Sequence, residues 1–116
     1  MKKKIPDGFV VNKRRGPYTN HNGPFYIKNN DNKWIHGAYI LDRHCNAANI
    51  AHGGMLMAFA DGVLGHTVYY KTKRAGVTIK FNSEFLSAAR QGEWLEGYGN
   101  VSHVCLLYTS DAADEP

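Results

Sequence analysis

The 116-residue sequence predicts a single α+β domain in which one long central helix is wrapped by an antiparallel sheet. Three observations predict it. From Gly53 to Tyr70 the chain is apolar on nearly every side of a helical projection, with Asp61 and His66 its only ionisable groups before Lys71 and two tyrosines at its end. Strand-like segments precede and follow this stretch. Between the two that precede it stands the turn cluster Asn29-Asn30-Asp31-Asn32, which folds neighbouring strands antiparallel.

Residues 6–24 carry Gly16-Pro17 and Asn22-Gly23-Pro24 and read as an irregular entry segment. Phe25 to Lys28 forms a short strand, and Trp34 to Asp42 forms the second strand of its hairpin. His44-Cys45-Asn46-Ala47-Ala48-Asn49 is small and polar, hence a loop. The helix opens at about Gly53; Gly62 and Gly65 weaken its intrinsic propensity, so packing must hold it. A basic turn (Lys71 to Gly76) leads to a strand over Val77–Leu86, where Val77, Ile79 and Phe81 alternate as on a half-buried strand. Gln91-Gly92 turns the chain into a further strand over Glu93–Val101. No internal repeat is present.

Composition excludes several classes of function. No apolar run is long enough to span a bilayer, and the basic start has no apolar segment behind it, so the chain is expected to be cytoplasmic and without a membrane partner. Cys45 and Cys105 make no disulfide framework or CxxC pair. The six histidines and Cys45 fit no familiar metal spacing, so no metal is expected. The net charge of +4 is concentrated in residues 1–15, where six basic groups face Asp7 alone. That run reads as a solvated terminus rather than a nucleic-acid contact; salt-dependent binding to DNA distinguishes the two. No Gly-x-Ser-x-Gly elbow is present to support a serine hydrolase.

The informative stretch is Asn46, then His52-Gly53-Gly54 six residues on, then Asp61 nine positions after the histidine. It is followed by Gly76-Val77-Thr78 with Asn82, and by Phe85-Leu86-Ser87-Ala88-Ala89-Arg90-Gln91-Gly92-Glu93. These three motifs, in this order over residues 24–103, resemble the hotdog-fold acyl-CoA thioesterases of the PaaI-like, phenylacetate-pathway type. The resemblance implies hydrolysis of an acyl-CoA to a carboxylic acid and free CoA by a dimer or tetramer with shared active sites. No cofactor is implied, CoA being part of the substrate. It also implies that Asn46 holds the water or carbonyl, that His52 orients the thioester, that Thr78 hydrogen-bonds the nucleophile, and that Ser87 and Arg90 lie near the CoA moiety.

Elementary chemistry points the same way at two positions. The first N–H groups of a helix beginning near Gly53 lack intrahelical partners. With the helix dipole they favour developing negative charge, so the Gly53 N–H is the expected oxyanion donor. A carboxylate in an apolar helix costs several kcal/mol unless it is paired or used, which singles out Asp61 as base or nucleophile. Asp61 lies eight residues beyond Gly53, about 12 Å along the axis, so the site it serves must belong to an antiparallel copy of the helix. A structural reading remains beside each: the glycines for tight packing, Asp61 for a buried pair, Asn46 and Thr78 as ordinary loop and strand residues. A module that binds acyl-CoA without catalysis is the alternative function, and a hotdog dehydratase stands third.

The end of the chain changes character. Cys105-Leu-Leu-Tyr-Thr-Ser-Asp-Ala-Ala-Asp-Glu115 matches the translation of a sequencing-library adapter, so residues 105–116 are expected to be a non-native tail. The expected organisation is a basic entry segment over 1–23, a partial hotdog domain over 24–104, and that tail. On this reading the last strands are missing, and the chain as it stands is expected to be unstable, aggregated or inactive.

Overall fold

The computed structural model of the protein describes residues 4–13, 15–74 and 88–100. Strands β1 (Val10–Val11), β2 (Tyr26–Asn30), β3 (Lys33–Tyr39) and β4 (Trp94–Gly97) form one antiparallel sheet in the order of their numbers. Helices α1 (Pro17–Asn22) and α2 (Gly53–Thr72) accompany it. The α+β class, the β2–β3 hairpin and a long helix opening at Gly53 agree with the sequence. The strand expected over residues 77–86, with Thr78, and the tail from residue 105 lie outside the described residues. Among the described residues no helix is long and apolar enough to cross a membrane.

Local chemistry sets the hairpin. Asp31 and Asn32 take φ values of 52° and 68°, the left-handed pair that a two-residue type I′ connection requires. Asn29 Oδ1 accepts the Asn32 N–H at 2.9 Å, so the turn is tied by a side chain suited to it. Strand β3 stops at Tyr39, short of the expected Asp42. Asp42–His44 instead wind into a 3-10 turn, in which the Leu41 N–H donates to His44 Nδ1 at 2.9 Å.

The entry segment also departs from expectation. Residues 6–24 contain β1 and α1, and Phe9 is buried. Its ring meets Trp94 edge-on at 5.1 Å, while Trp94 also packs against Tyr26 and Tyr39. Period-two alternation puts these residues on one face of the sheet and Ile27, Trp34, His36, Ala38 and Leu95 on the other. Part of the basic segment is thus the cover of the sheet's far face. Gly37 makes that cover possible: a Cβ there would lie 2.2 Å from Trp94 Cζ2, inside the indole ring.

Helix α2 lies on the opposite face. Phe59 and Val63 meet β4 at Gly97, and His66 meets β3. Val63 and His66 are buried. The expectation of a helix buried all round is not met in the single chain, because the sheet covers one side of it. Met57, Asp61 and Leu64 are exposed on the side turned away from Phe59, Val63 and His66.

The helix–sheet seam contains a polar pair. His36 Nε2 and His66 Nδ1 are 3.3 Å apart, each buried, with Trp34 and Tyr70 against the His66 ring. Burial, with the charge of His66 and of Arg15, lowers the His36 pKa from 6.5 to about 4; burial and Arg15 lower that of His66 as well. Both rings therefore pack as neutral imidazoles.

Two tests follow from this packing. Gly37→Ala forces the Trp94 cluster apart and is expected to cost about 1–3 kcal/mol in urea denaturation. Because the unfolded chain binds protons at His36 more readily than the folded one, stability is retained above pH 6.5 and falls as pH drops towards 4, by up to about 3 kcal/mol for this group. Unfolding midpoints recorded across that window should slope in the native protein and flatten in His36→Gln.

Candidate active site

The loop before α2 is closed on itself. Cys45 bridges Ala51, the Asn46 N–H donates to the Ile50 carbonyl at 2.9 Å, and the His52 N–H donates to the His44 carbonyl at 2.9 Å. Within it the Asn46 side chain makes an Asx turn, its Oδ1 accepting the Ala48 N–H at 2.9 Å. Asn46 is exposed, and with Oδ1 engaged its amide group offers Nδ2–H donors. Asn49, at φ 63°, supplies the left-handed residue that lets so short a loop return.

His52 is the N-cap of α2. Its Nδ1 accepts the Gly54 N–H at 2.8 Å, and its carbonyl accepts the N–H groups of Met55 at 2.9 Å and Leu56 at 3.1 Å. Two of the orphan donors of the helix, Gly54 and Met55, are thereby satisfied by the residue that also accepts its first i→i−4 bond, from Leu56. The Gly53 N–H makes no hydrogen bond among the described residues. It stands at the positive end of a twenty-residue helix. An accepting Nδ1 fixes the neutral ring as the Nε2–H tautomer, so His52 presents a donor beside it.

Asp61 is exposed two helical turns further on. At 1.5 Å per residue it lies about 12 Å along the axis from Gly53. One chain thus brings Asn46, His52 and Gly53 together and holds Asp61 apart from them. Arg90 is exposed on a turn whose backbone bridges Ile50, so it sits beside the same loop, with its N–H bonded to Glu93 Oε1 at 2.6 Å. Thr78 and Ser87 lie outside the described residues.

A cleft of about 360 Å³ runs along α2 from this loop. His52 and Gly54 line one end; Gly62, His36 and Arg15 line the other. Met55, Ala58, Phe59 and Val63 form an apolar floor between them, and Tyr18, Thr19 and Asn22 of α1 contribute the roof. His44, which also lines the cleft, is held by its Nε2–H on the Asn22 carbonyl at 2.7 Å. Sequence reasoning missed Arg15, His36 and His44 as cleft residues. Arg15 sits in a run that reads as solvated charge, and no local signal marks it as folded back onto Gly62. Among the described residues no group of three or more His, Cys, Asp or Glu side chains could hold a metal ion.

The sequence matches the thioesterase superfamily over residues 48–104, a span that opens just before the loop closes and takes in all of α2. It is also 32% identical over 103 residues to a Pseudomonas aeruginosa protein named "Putative esterase", the alignment covering 86% of this chain and 77% of that one.

The capping geometry can be checked by substitution. His52→Ala removes the acceptor for the Gly54 N–H and is expected to lower stability by about 1 kcal/mol, whereas His52→Asn, a good capping residue, should recover most of it. Urea midpoints of the two variants at constant m-value provide the comparison.

Proposed function

Since the chain belongs to the thioesterase superfamily, we propose that it hydrolyses an acyl-CoA thioester to a carboxylic acid and CoA, in the manner of the PaaI-like enzymes. The observation that carries this reading is the Gly53 N–H, unengaged among the described residues at the start of α2 while its neighbours are capped by His52. A thioester carbonyl placed there gains a donor aimed at the charge that develops when the carbon is attacked. His52 Nε2–H and Asn46 Nδ2–H lie on the same loop and orient the carbonyl or the attacking water.

The remaining part is a carboxylate. Asp61 of one subunit serves the Gly53 end of another in an antiparallel dimer, through the exposed α2 face that carries Met57 and Leu64. Asp61 takes a proton from water as the water oxygen bonds to the carbonyl carbon; alternatively it attacks directly and forms an anhydride that water then opens. The tetrahedral intermediate collapses by breaking the C–S bond. With a thiol pKa of about 8.5, CoA departs as thiolate without a general acid. Thr78 steadies the carboxylate, and Ser87 and Arg90 attend the CoA moiety. The scheme calls for no metal or redox group, and a cytoplasmic setting supplies the substrate.

Thiol release from a panel of aliphatic and aromatic acyl-CoAs tests the proposal. Asp61→Asn is expected to lower kcat by about 10²- to 10⁴-fold while the fold is retained. Unchanged turnover in that variant removes Asp61 from the mechanism. Tight acyl-CoA binding with no turnover in the native protein identifies a non-catalytic binding module instead.

A further inference from the structure

We infer that the cleft along α2 is an acyl pocket for chains ending in a carboxylate, the ω-carboxyacyl thioesters, with Arg15 as the residue that holds the far end. The inference rests on the thioesterase reading for what lies at the Gly53 end. Its own support is the distribution of charge and apolar surface along the cleft.

Arg15 lines the cleft half-buried, its Nη2 donating to the Gly62 carbonyl at 2.9 Å. A guanidinium has five N–H donors, and a carbonyl is a neutral partner for one of them. Partly buried charge is normally balanced by opposite charge. Among the described residues no carboxylate lines this cleft, while Arg43, His36, His44 and His52 do. Arg43 is likewise bonded to a carbonyl, that of Gly23. Burial also lowers the Arg15 pKa below its ordinary value, the cost of taking a cation partly out of water. The cleft supplies the cation and leaves the anion to a ligand.

Geometry decides which anion. Gly62, to which Arg15 is bonded, is eight residues beyond Gly54, about 12 Å along the helix axis. Between the two ends the floor is Met55, Ala58, Phe59 and Val63, which suits methylene groups and offers nothing to the amides of a pantetheine arm. A ligand polar at both ends and apolar between them is the complement. A medium-length dicarboxylic acyl chain, its thioester carbonyl at the Gly53 N–H and its terminal carboxylate on Arg15, fits that description. Arginine matches a carboxylate in a two-point fork that a lysine ammonium cannot reproduce.

The test uses the same protein and reads binding and turnover separately. Calorimetric titration with suberate and octanoate needs no catalysis. Suberate is expected to bind about ten- to a hundredfold more tightly than octanoate, the worth of a charge-assisted contact. Arg15→Met should erase that preference and Arg15→Lys, which keeps the charge if the methionine variant folds poorly, should retain part of it. In thiol release, the ratio of kcat/KM for suberoyl-CoA over octanoyl-CoA should fall by a similar factor in Arg15→Met. Octanoate binding as tightly as suberate, or a suberate preference that survives Arg15→Met, overturns the inference. So does Arg15-dependent displacement of suberate by adenosine 3′,5′-bisphosphate, which assigns the cation to a CoA phosphate. Failure of the thioesterase reading has a different signature: no thiol is released from any thioester, while the diacid preference in titration still stands.

Discussion

Helix α2 has to begin where it does because His52 commits both its side chain and its carbonyl to closing the first turn. A helix with its early amides dispersed into solvent could fray by a residue or two in either direction. Here the amides of Gly54, Met55 and Leu56 are all gathered onto one residue, which is itself hung from the His44 carbonyl. The start of the helix is therefore fixed relative to the 3-10 turn and to the end of β3. The position of the Gly53 N–H, the depth of the cleft and the phase of Asp61 along the helix all follow from that one register.

The same helix is asymmetric in its partners. One side is seated on the sheet through Phe59, Val63 and the His36–His66 pair, and the opposite side carries Met57, Asp61 and Leu64 in the open. Among the described residues no second layer covers that side, so Met57 and Leu64 stay exposed in the single chain. A seam of neutral imidazoles on the covered side fits that division, since it keeps charge out of the layer where helix and sheet pack.

Legibility in the sequence followed the range of the forces involved. The hairpin turn was readable because Asp31 and Asn32 tolerate the left-handed backbone that the turn demands, a property of the residues themselves. The start of α2 was readable from a change in apolar periodicity at His52-Gly53-Gly54, and Asn46, His52 and Gly53 do meet at one loop. Helix α1 was not readable, although Pro17 stands at its first turn, because six residues cannot hold a helix alone and Gly-Pro and Asn-Gly-Pro read as punctuation. Strand β1 and the burial of Phe9 depend on Trp94, some eighty residues away in sequence, and no local pattern encodes that distance. Arg15 belongs to the same class: its surroundings are set by Gly62, not by the lysines and arginine beside it.

The segment between Asn12 and Phe25 forms the roof of the cleft, and the Asn12 N–H donates to the Phe25 carbonyl at 2.7 Å, so its two ends meet. It is further held by Arg15 on Gly62, by Arg43 on Gly23 and by His44 on Asn22. A compact loop whose ends are joined is packed largely by its own contacts. Its base is also continuous with Phe9 and β1, so lifting it would peel the cover from the Trp94 cluster on the far side of the sheet. A ligand of this cleft therefore lies against a wall braced from both faces of the sheet, so the shape of that side is tied to the packing of residues far from the ligand.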